Sequence, residues 1–272
     1  MKIVKRILTL LAITYAGMII VLMFLENKLL FPAPSRTQGD WQPSWLEFEE
    51  ARFHAEDGTQ LHGWFVEHPN PRGTLLFFHG NGEHVAYLAQ ELAFLRDTYQ
   101  FNVMAFDYRG YGKSLGSPSQ NGLLQDGEAA LDWLAKRTQQ EPSEIFLYGR
   151  SLGGAVAIHV ANTAGTRGLV IDRSFNSMVE VASRHFPWLP VPLLLRNRFP
   201  SEVWIQDYAG ALFQVHGSPD EVIPLECGQA LFEKCPSENK TFYLSPTLGH
   251  NDQWPATIYR QLENFWLPLI HE

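Results

Sequence analysis

The sequence Gly-Arg-Ser-Leu-Gly at residues 149–153 constrains the fold of this chain more than any other feature. It follows residues 144–148, a glutamate and four apolar or aromatic residues typical of a buried strand. It precedes residues 155–161, which are typical of a helix packed on a sheet. Glycines on both sides of the serine let strand and helix approach without a Cβ collision. The pattern predicts a sharp turn that exposes Ser151 as a nucleophile.

The segments around this turn predict an α/β fold. From Leu75 onward, apolar strand-like runs alternate with helical stretches at 85–96, 122–137 and 152–161. Such alternation is typical of a mostly parallel central sheet with helices on both faces. Before it, residues 46–54 and 61–67 predict an antiparallel pair of strands around an Asp-Gly turn.

A nucleophilic serine needs a histidine to accept its proton and a carboxylate to orient that histidine. In folds of this class the partners follow in the order serine, acid, histidine. Asp220 and His250 each come directly after a strand-like run, and their order is the required one. Glu221 and Asp207 compete for the role of the acid, but Asp220 lies at the carboxyl end of the predicted strand, where such sites assemble.

An oxyanion formed at the substrate carbonyl requires fixed N–H donors. One candidate donor is the backbone N–H of Leu152, directly after the nucleophile. The second is that of Asn81, in the loop His-Gly-Asn-Gly at 79–82 that follows a predicted strand. We expect His79 itself to make only a structural hydrogen bond to neighbouring backbone.

Four segments together resemble a known family: residues 79–82, 106–119, 148–154 and 249–252. They are similar to α/β-hydrolases of the bud-emergence type, within the serine aminopeptidase and monoacylglycerol-lipase-like hydrolases. The resemblance runs from about residue 45 to the end. It implies a serine esterase, lipase or thioesterase with Ser151, Asp220 and His250 as its triad and with Asn81 and Leu152 as its oxyanion hole. Relatives often have Ala-Gly after His-Gly-Asn, whereas this chain has Gly82-Glu83.

Composition excludes other classes of function. The net charge is −8 and basic residues cluster only at the N-terminus, which argues against a nucleic-acid partner. No His-Glu-x-x-His or Cys-x-x-Cys pattern occurs, so we expect no metal and no cofactor. Residues 110–114 end like a phosphate-binding loop, but Asp107 stands where that motif requires glycine, and we expect Asp107 and Arg109 to fix the loop.

The two cysteines are predicted to be free thiols. Cys227 and Cys235 lie in one predicted helix, eight positions apart, which corresponds to roughly 12 Å at helical rise. A disulfide requires Cα atoms within about 7 Å. The fold is therefore expected not to depend on oxidation.

Residues 7–25 form an uncharged apolar run that would span roughly 28 Å as a helix, enough to cross a bilayer once. No small-residue cleavage site follows it, which favours an anchor over a cleaved signal peptide. Positive charges before the run favour a cytoplasmic N-terminus and a periplasmic or lumenal catalytic domain. The expected organisation is an anchor at 1–28, a linker at 29–44 and a hydrolase domain at 45–272.

An apolar segment at about 176–204, which contains several prolines, interrupts the alternation of strands and helices and predicts a short lid. It could line an acyl pocket or touch the bilayer, or it could be buried against the sheet. With the anchor, such a lid would bias the protein toward apolar acyl substrates. The reaction expected from the triad is acyl transfer to water, from a small-molecule or lipid acyl ester or thioester. Two alternatives remain open, namely a serine aminopeptidase or amidase, and a membrane-tethered binding protein without turnover.

Overall fold

The computed structural model describes residues 1–271, and the side chains of residues 1–270. Its strands are β1 (Glu49–His54), β2 (Gln60–Val66), β3 (Gly73–Phe78), β4 (Phe101–Asp107), β5 (Phe146–Arg150), β6 (Leu169–Asp172), β7 (Leu212–Gly217) and β8 (Lys240–Ser245). Its helices are α1 (Lys2–Leu30), α2 (Ala89–Tyr99), α3 (Gln120–Thr138), α4 (Leu152–Ala164), α5 (Met178–His185), α6 (Val191–Leu194), α7 (Ser201–Trp204), α8 (Leu225–Lys234) and α9 (Ala256–His271).

The eight strands form one sheet in the order β1-β2-β4-β3-β5-β6-β7-β8. Strand β2 is antiparallel to both β1 and β4, and all other neighbours are parallel. The predicted α/β-hydrolase architecture, with a mostly parallel sheet, is confirmed. Because parallel strands end at the same edge, the loops after β3, β5, β7 and β8 all meet at one rim of the sheet.

Two apolar layers cover the two faces of the sheet. In β3, Leu76 and Phe78 point into a core that includes α3, α4 and α8. Leu75 and Phe77 point the other way, into a core that includes α2 and α9. This alternation follows from the two-residue period of a strand, and both faces are apolar because helices cover both.

The N-terminal helix is longer than the expected anchor, since α1 continues to Leu30. Apolar side chains such as Leu8 and Phe24 are exposed on it, and α1 is long and apolar enough to cross a membrane. The following residues are not a free linker. Phe31 is buried against Phe199, and the Arg36 guanidinium donates to the Ser114 carbonyl oxygen at 2.8 Å.

The segment between β6 and β7 contains the three short helices α5, α6 and α7, at the place expected for the lid. The side chains of Phe186, Trp188 and Leu193 are 47%, 54% and 86% exposed. The alternative that this apolar segment is buried against the sheet is therefore wrong for its tip. Its proline-rich turns carry these side chains away from the core instead.

Candidate active site

Ser151 lies on a strained turn between β5 and α4. Its φ and ψ are +51° and −118°, a region that residues with a side chain rarely adopt. The turn also brings α4 very close to the end of β3, because a Cβ on Gly153 would lie 2.2 Å from the Phe78 carbonyl oxygen. The Ser151 N–H donates to the Asp172 carbonyl oxygen of β6 at 2.9 Å. Contacts with β3 and β6, the two strands that flank β5, therefore fix the strained turn in place.

The structure brings Ser151, His250 and Asp220 together at the rim of the sheet. His250 Nε2 lies 3.0 Å from Ser151 Oγ, and His250 Nδ1 lies 2.8 Å from Asp220 Oδ2. The side chains come from the loops after β5, β7 and β8, as the sequence order predicts. The competing acids, Glu221 and Asp207, are both exposed.

Asp220 is held as an ionised acceptor. Burial acts to raise the pKa of its carboxyl, but the hydrogen bond and charge of His250 and the N–H of Ile223 outweigh burial and lower that pKa. Its Oδ1 accepts from the N–H groups of Val222 and Ile223 at 3.0 and 2.8 Å. The ionised Asp220 carboxylate accepts a hydrogen bond from Nδ1–H of His250. In this tautomer Nε2 of His250 carries no proton and can accept a hydrogen bond from the Ser151 hydroxyl.

The loop after β3 lies beside the serine. A Cβ on Gly80 would be 3.6 Å from Ser151 Cβ, and Gly80, Asn81 and Leu152 line the same cavity as Ser151 and His250. The Asn81 side chain is engaged elsewhere: its Nδ2 donates to the Leu30 carbonyl oxygen at 2.5 Å, and its Oδ1 accepts from the Tyr111 hydroxyl at 2.6 Å. The amide side chain of Asn81 is therefore already engaged by protein groups and is not free to bind a substrate.

Sequence reasoning missed Glu83 and Arg150, which fix this loop. Glu83 Oε2 accepts from the Gly80 N–H at 2.7 Å, and its Oε1 lies 3.2 Å from Arg150 Nη1. Arg150 also pairs with Glu91 and, at 3.2 Å, with Asp172. The signal in the sequence was a charged residue, Arg150, within an otherwise apolar strand–turn–helix unit, because a partly buried guanidinium requires several acceptors.

A second missed pair, Asp172 and Arg173, supports the histidine loop. Burial acts to raise the pKa of Asp172, but the charges of Arg173 and Arg150 and the Trp254 N–H hold that pKa at about 2. Arg173 Nη1 donates to the carbonyl oxygens of Gly249 and Asp252, both at 2.8 Å. One buried carboxylate at the end of β6 is therefore connected to both the serine turn and the loop that carries His250.

Several smaller predictions are confirmed. His79 Nδ1–H donates to the Gly80 carbonyl oxygen at 2.8 Å, so His79 is structural. Asp107 accepts from the N–H groups of Val85 and Lys113, and Arg109 pairs with a carboxylate of α3, so both fix loops. The two cysteines are buried free thiols.

The cavity at the serine has a volume of about 340 Å³. Phe175, Met178 and Val181 form its wall on the side of the lid, and Leu29 and Leu30 of α1 close it on another side. The end of the N-terminal helix is thus part of the site. Within residues 1–271, no group of three or more His, Cys, Asp or Glu side chains is arranged to hold a metal ion.

Comparisons with known proteins agree with this fold. Residues 69–201 match the family model described as serine aminopeptidase, S33. The α/β-hydrolase domain-containing protein WAV2 of Arabidopsis thaliana is 30% identical over 272 residues, which cover 89% of this chain and 86% of that protein. Protein bem46 of Schizosaccharomyces pombe is 31% identical over 228 residues, which cover 80% of this chain and 75% of that protein.

Solved structures extend the likeness to the whole fold. An esterase of Pyrococcus furiosus superposes with a TM-score of 0.72 at 21% identity, and the match covers 88% of this chain and 99% of that one. An acetyl xylan esterase from Paenibacillus sp. R4 superposes with a TM-score of 0.67 at 19% identity, covering 84% and 86% of the two chains. The chain therefore belongs to the α/β-hydrolase family and has bem46 and WAV2 among its relatives.

Proposed function

We propose that the protein is a serine hydrolase that cleaves carboxylic esters or thioesters of acyl substrates through an acyl-enzyme intermediate. The observation that carries the proposal is the continuous hydrogen-bonded chain from Ser151 Oγ through His250 to Asp220, with distances of 3.0 and 2.8 Å. The hydrolase family and the esterases among the structural neighbours support the same reaction class.

In this mechanism Ser151 Oγ attacks the substrate carbonyl carbon while its proton passes to His250 Nε2. The tetrahedral intermediate collapses, the bond to the alcohol or thiol breaks, and His250 returns the proton to that leaving group. A water molecule then repeats the attack on the acyl-serine and releases the carboxylic acid. Asp220 keeps His250 in the required tautomer and stabilises its charged form throughout.

The oxyanion of each intermediate is stabilised by the backbone N–H groups of Asn81 and Leu152. Among the described residues neither N–H donates a hydrogen bond, and both residues line the cavity at Ser151. The bridge from Gly80 through Glu83 to Arg150 keeps this loop rigid. Preorganised donors of this kind commonly contribute two to three orders of magnitude in rate each.

Amide or peptide cleavage is the second candidate, because the matched family is described as serine aminopeptidase. An aminopeptidase needs a free carboxylate to bind the substrate ammonium group. The acidic side chain that lines the cavity, Glu83, is already engaged by Arg150 and by the Gly80 N–H. The apolar cavity walls and the lack of a free lining carboxylate among the described residues therefore favour an acyl ester or thioester.

We also propose that α1 is retained as a single-pass anchor, with the N-terminus cytoplasmic and the catalytic domain periplasmic or lumenal. Glu26 near the end of α1 is buried and accepts from the backbone N–H groups of Arg196 and Asn197, both at 2.9 Å. Removal of the helix would leave these groups of the lid without their partner. Lys2 and Lys5 before the apolar run favour the stated orientation.

A fluorophosphonate probe tests the serine mechanism directly. The full-length protein should be labelled, and Ser151→Ala should lose the label. Ser143→Ala, an exposed serine before β5, is the matched control and should keep it. A panel of 4-nitrophenyl esters, acyl thioesters and aminoacyl amides then ranks the substrate classes. Labelling that persists in Ser151→Ala, or turnover confined to the amides, would contradict the proposal.

A further inference from the structure

A second cavity of about 340 Å³ lies between α1 and the lid, outside the cavity at the serine. Leu22 and Met23 form its wall on α1, and Phe186, Trp188 and Leu194 form its wall on the lid. We refer to this cavity as the anchor–lid groove. Its apolar walls fit a hydrocarbon ligand.

The one charged side chain that lines the anchor–lid groove, within the described residues, is not available to a ligand. Glu26 Oε1 accepts from the backbone N–H groups of Arg196 and Asn197 and from Asn197 Nδ2, and its Oε2 accepts from Arg196 Nε. With Glu26 engaged in this way, the groove offers a ligand mainly apolar contacts, which select an aliphatic chain over a charged group.

The groove adjoins the catalytic cavity. Leu29 and Leu30 at the end of α1 line both cavities. The Leu30 carbonyl oxygen accepts from Asn81 Nδ2, so this end of the helix is fixed directly to the loop beside Ser151. The inner end of the groove therefore lies next to the cavity that contains Ser151.

The outer end of the groove lies beside the apolar part of α1. The Tyr15 hydroxyl donates to the Trp188 carbonyl oxygen at 2.7 Å, so the tip of the lid reaches the middle of the apolar run at 7–25. Phe24 on α1 and Leu193 on the lid are 84% and 86% exposed, which leaves an apolar surface on both sides of the groove. With α1 in a bilayer, this end of the groove opens into hydrocarbon.

We propose that the anchor–lid groove binds the acyl chain of an ester or thioester that resides in the membrane, with the chain along α1 and the carbonyl carbon at Ser151. This inference rests on the proposed function and names its substrate class. The anchor is then one wall of the substrate site as well as the attachment to the membrane. The acyl chain passes from bilayer to site without contact with water.

The test uses substitutions that narrow the groove. The variants are made in the full-length protein and assayed in lipid nanodiscs. Leu22→Trp and Ala182→Trp each place a larger side chain on one wall of the groove. The measurement is the ratio of kcat/KM for the 4-nitrophenyl palmitate ester to that for the acetate ester. We expect this ratio to fall at least tenfold in both variants. Misfolding lowers both rates together, so it does not change the ratio.

Two matched controls carry the same substitution outside the groove. Val21→Trp is adjacent to Leu22 on an exposed face of α1, and Leu193→Trp is on the exposed tip of the lid. Both should keep the ratio within twofold of the wild type. A ratio that is unchanged in the groove variants, or that falls equally in the controls, overturns the inference and leaves the serine mechanism intact. If Ser151→Ala hydrolysed esters as fast as the wild type, the proposed function itself would instead be overturned.

Discussion

The polar rim around Ser151 and the anchor–lid groove next to it are built in opposite ways. At the rim, the buried side chains of Asp172 and Arg173 and the partly buried side chain of Arg150 are connected to one another by hydrogen bonds. In the groove, apolar side chains such as Phe186 and Trp188 stay about half exposed. The rim is attached to strand ends of the sheet, whereas the groove is formed by two segments at the periphery.

Under the proposed function, this difference would place the reaction at the rim and the choice of substrate at the groove. Fixed donors and acceptors at the end of a sheet provide the geometry that acyl transfer needs, and they tolerate little displacement. A groove between a helix and a lid sets which chain enters, and its shape depends on a few apolar side chains. Substitutions at the rim should therefore change rates for all substrates, and those at the groove should change selectivity.

The largest expected effect comes from removal of the nucleophile. Ser151→Ala should lower kcat/KM for 4-nitrophenyl butyrate by roughly four to six orders of magnitude, because the triad acts as a unit. The same factor should apply to esters of any chain length, since the change is at the rim. Steady-state kinetics measure this loss of kcat/KM, and Ser143→Ala is the control variant. A loss below tenfold would remove Ser151 from the mechanism.

The next effect separates the two neighbouring acids. Asp220→Asn should lower kcat by about 10⁴-fold, because an amide at this position favours the wrong tautomer of His250. Glu221→Gln, at an exposed position, should stay within about twofold. Stopped-flow or steady-state assays of both variants make the comparison. If Glu221→Gln were the more damaging change, the acid would have been misassigned.

Glu26→Ala should weaken the contact between α1 and the lid. It leaves the buried N–H of Asn197 without an acceptor, a cost of about 1–3 kcal/mol. Trypsin should then cleave faster after Arg196 and Arg198, since local opening of this segment becomes more frequent. Leu25→Ala, an exposed neighbour on the same helix, should keep the wild-type cleavage rate. Equal rates for both variants would show that Glu26 does not hold the lid.

The smallest effect appears only in acid. The pKa of Asp172 is held at about 2, below its ordinary value of 3.8, so its contribution to stability is present above about pH 4 and is lost as pH falls toward 2. This loss amounts to about 2 kcal/mol. The free energy of unfolding of Asp172→Asn should therefore decline less between pH 5 and pH 2 than that of the wild type. Parallel pH profiles would contradict this assignment.

The sheet and the serine turn are predictable from the sequence because their signals are local. Apolar runs of strand length alternate with helical segments, and the glycines around Ser151 fit one kind of turn. The structure also brings Asp220 and His250 to the same rim, since both follow parallel strands that end there. Their roles in catalysis stay predictions until the variants above are measured.

The contacts of α1 with the lid were not predictable in the same way. Glu26 meets Arg196 and Asn197 across about 170 positions of the chain, and no periodic pattern records such a pairing. An apolar lid that faces hydrocarbon has the same composition as one that is buried, so residues 186–195 left both alternatives open. The sequence predicts that the anchor ends near residue 28. In the structure the helix continues to Leu30, and the residues that follow it pack on the domain.

The hydrogen bond from Asn81 to the Leu30 carbonyl oxygen has a practical consequence. A soluble truncation that begins at residue 32 lacks this acceptor, the Glu26 carboxylate and one side of the catalytic cavity. Kinetics of this truncation would describe a chain in which the loop beside Ser151 lacks its hydrogen bond to α1. The smallest unit that represents the native enzyme therefore includes the C-terminal turns of the N-terminal helix.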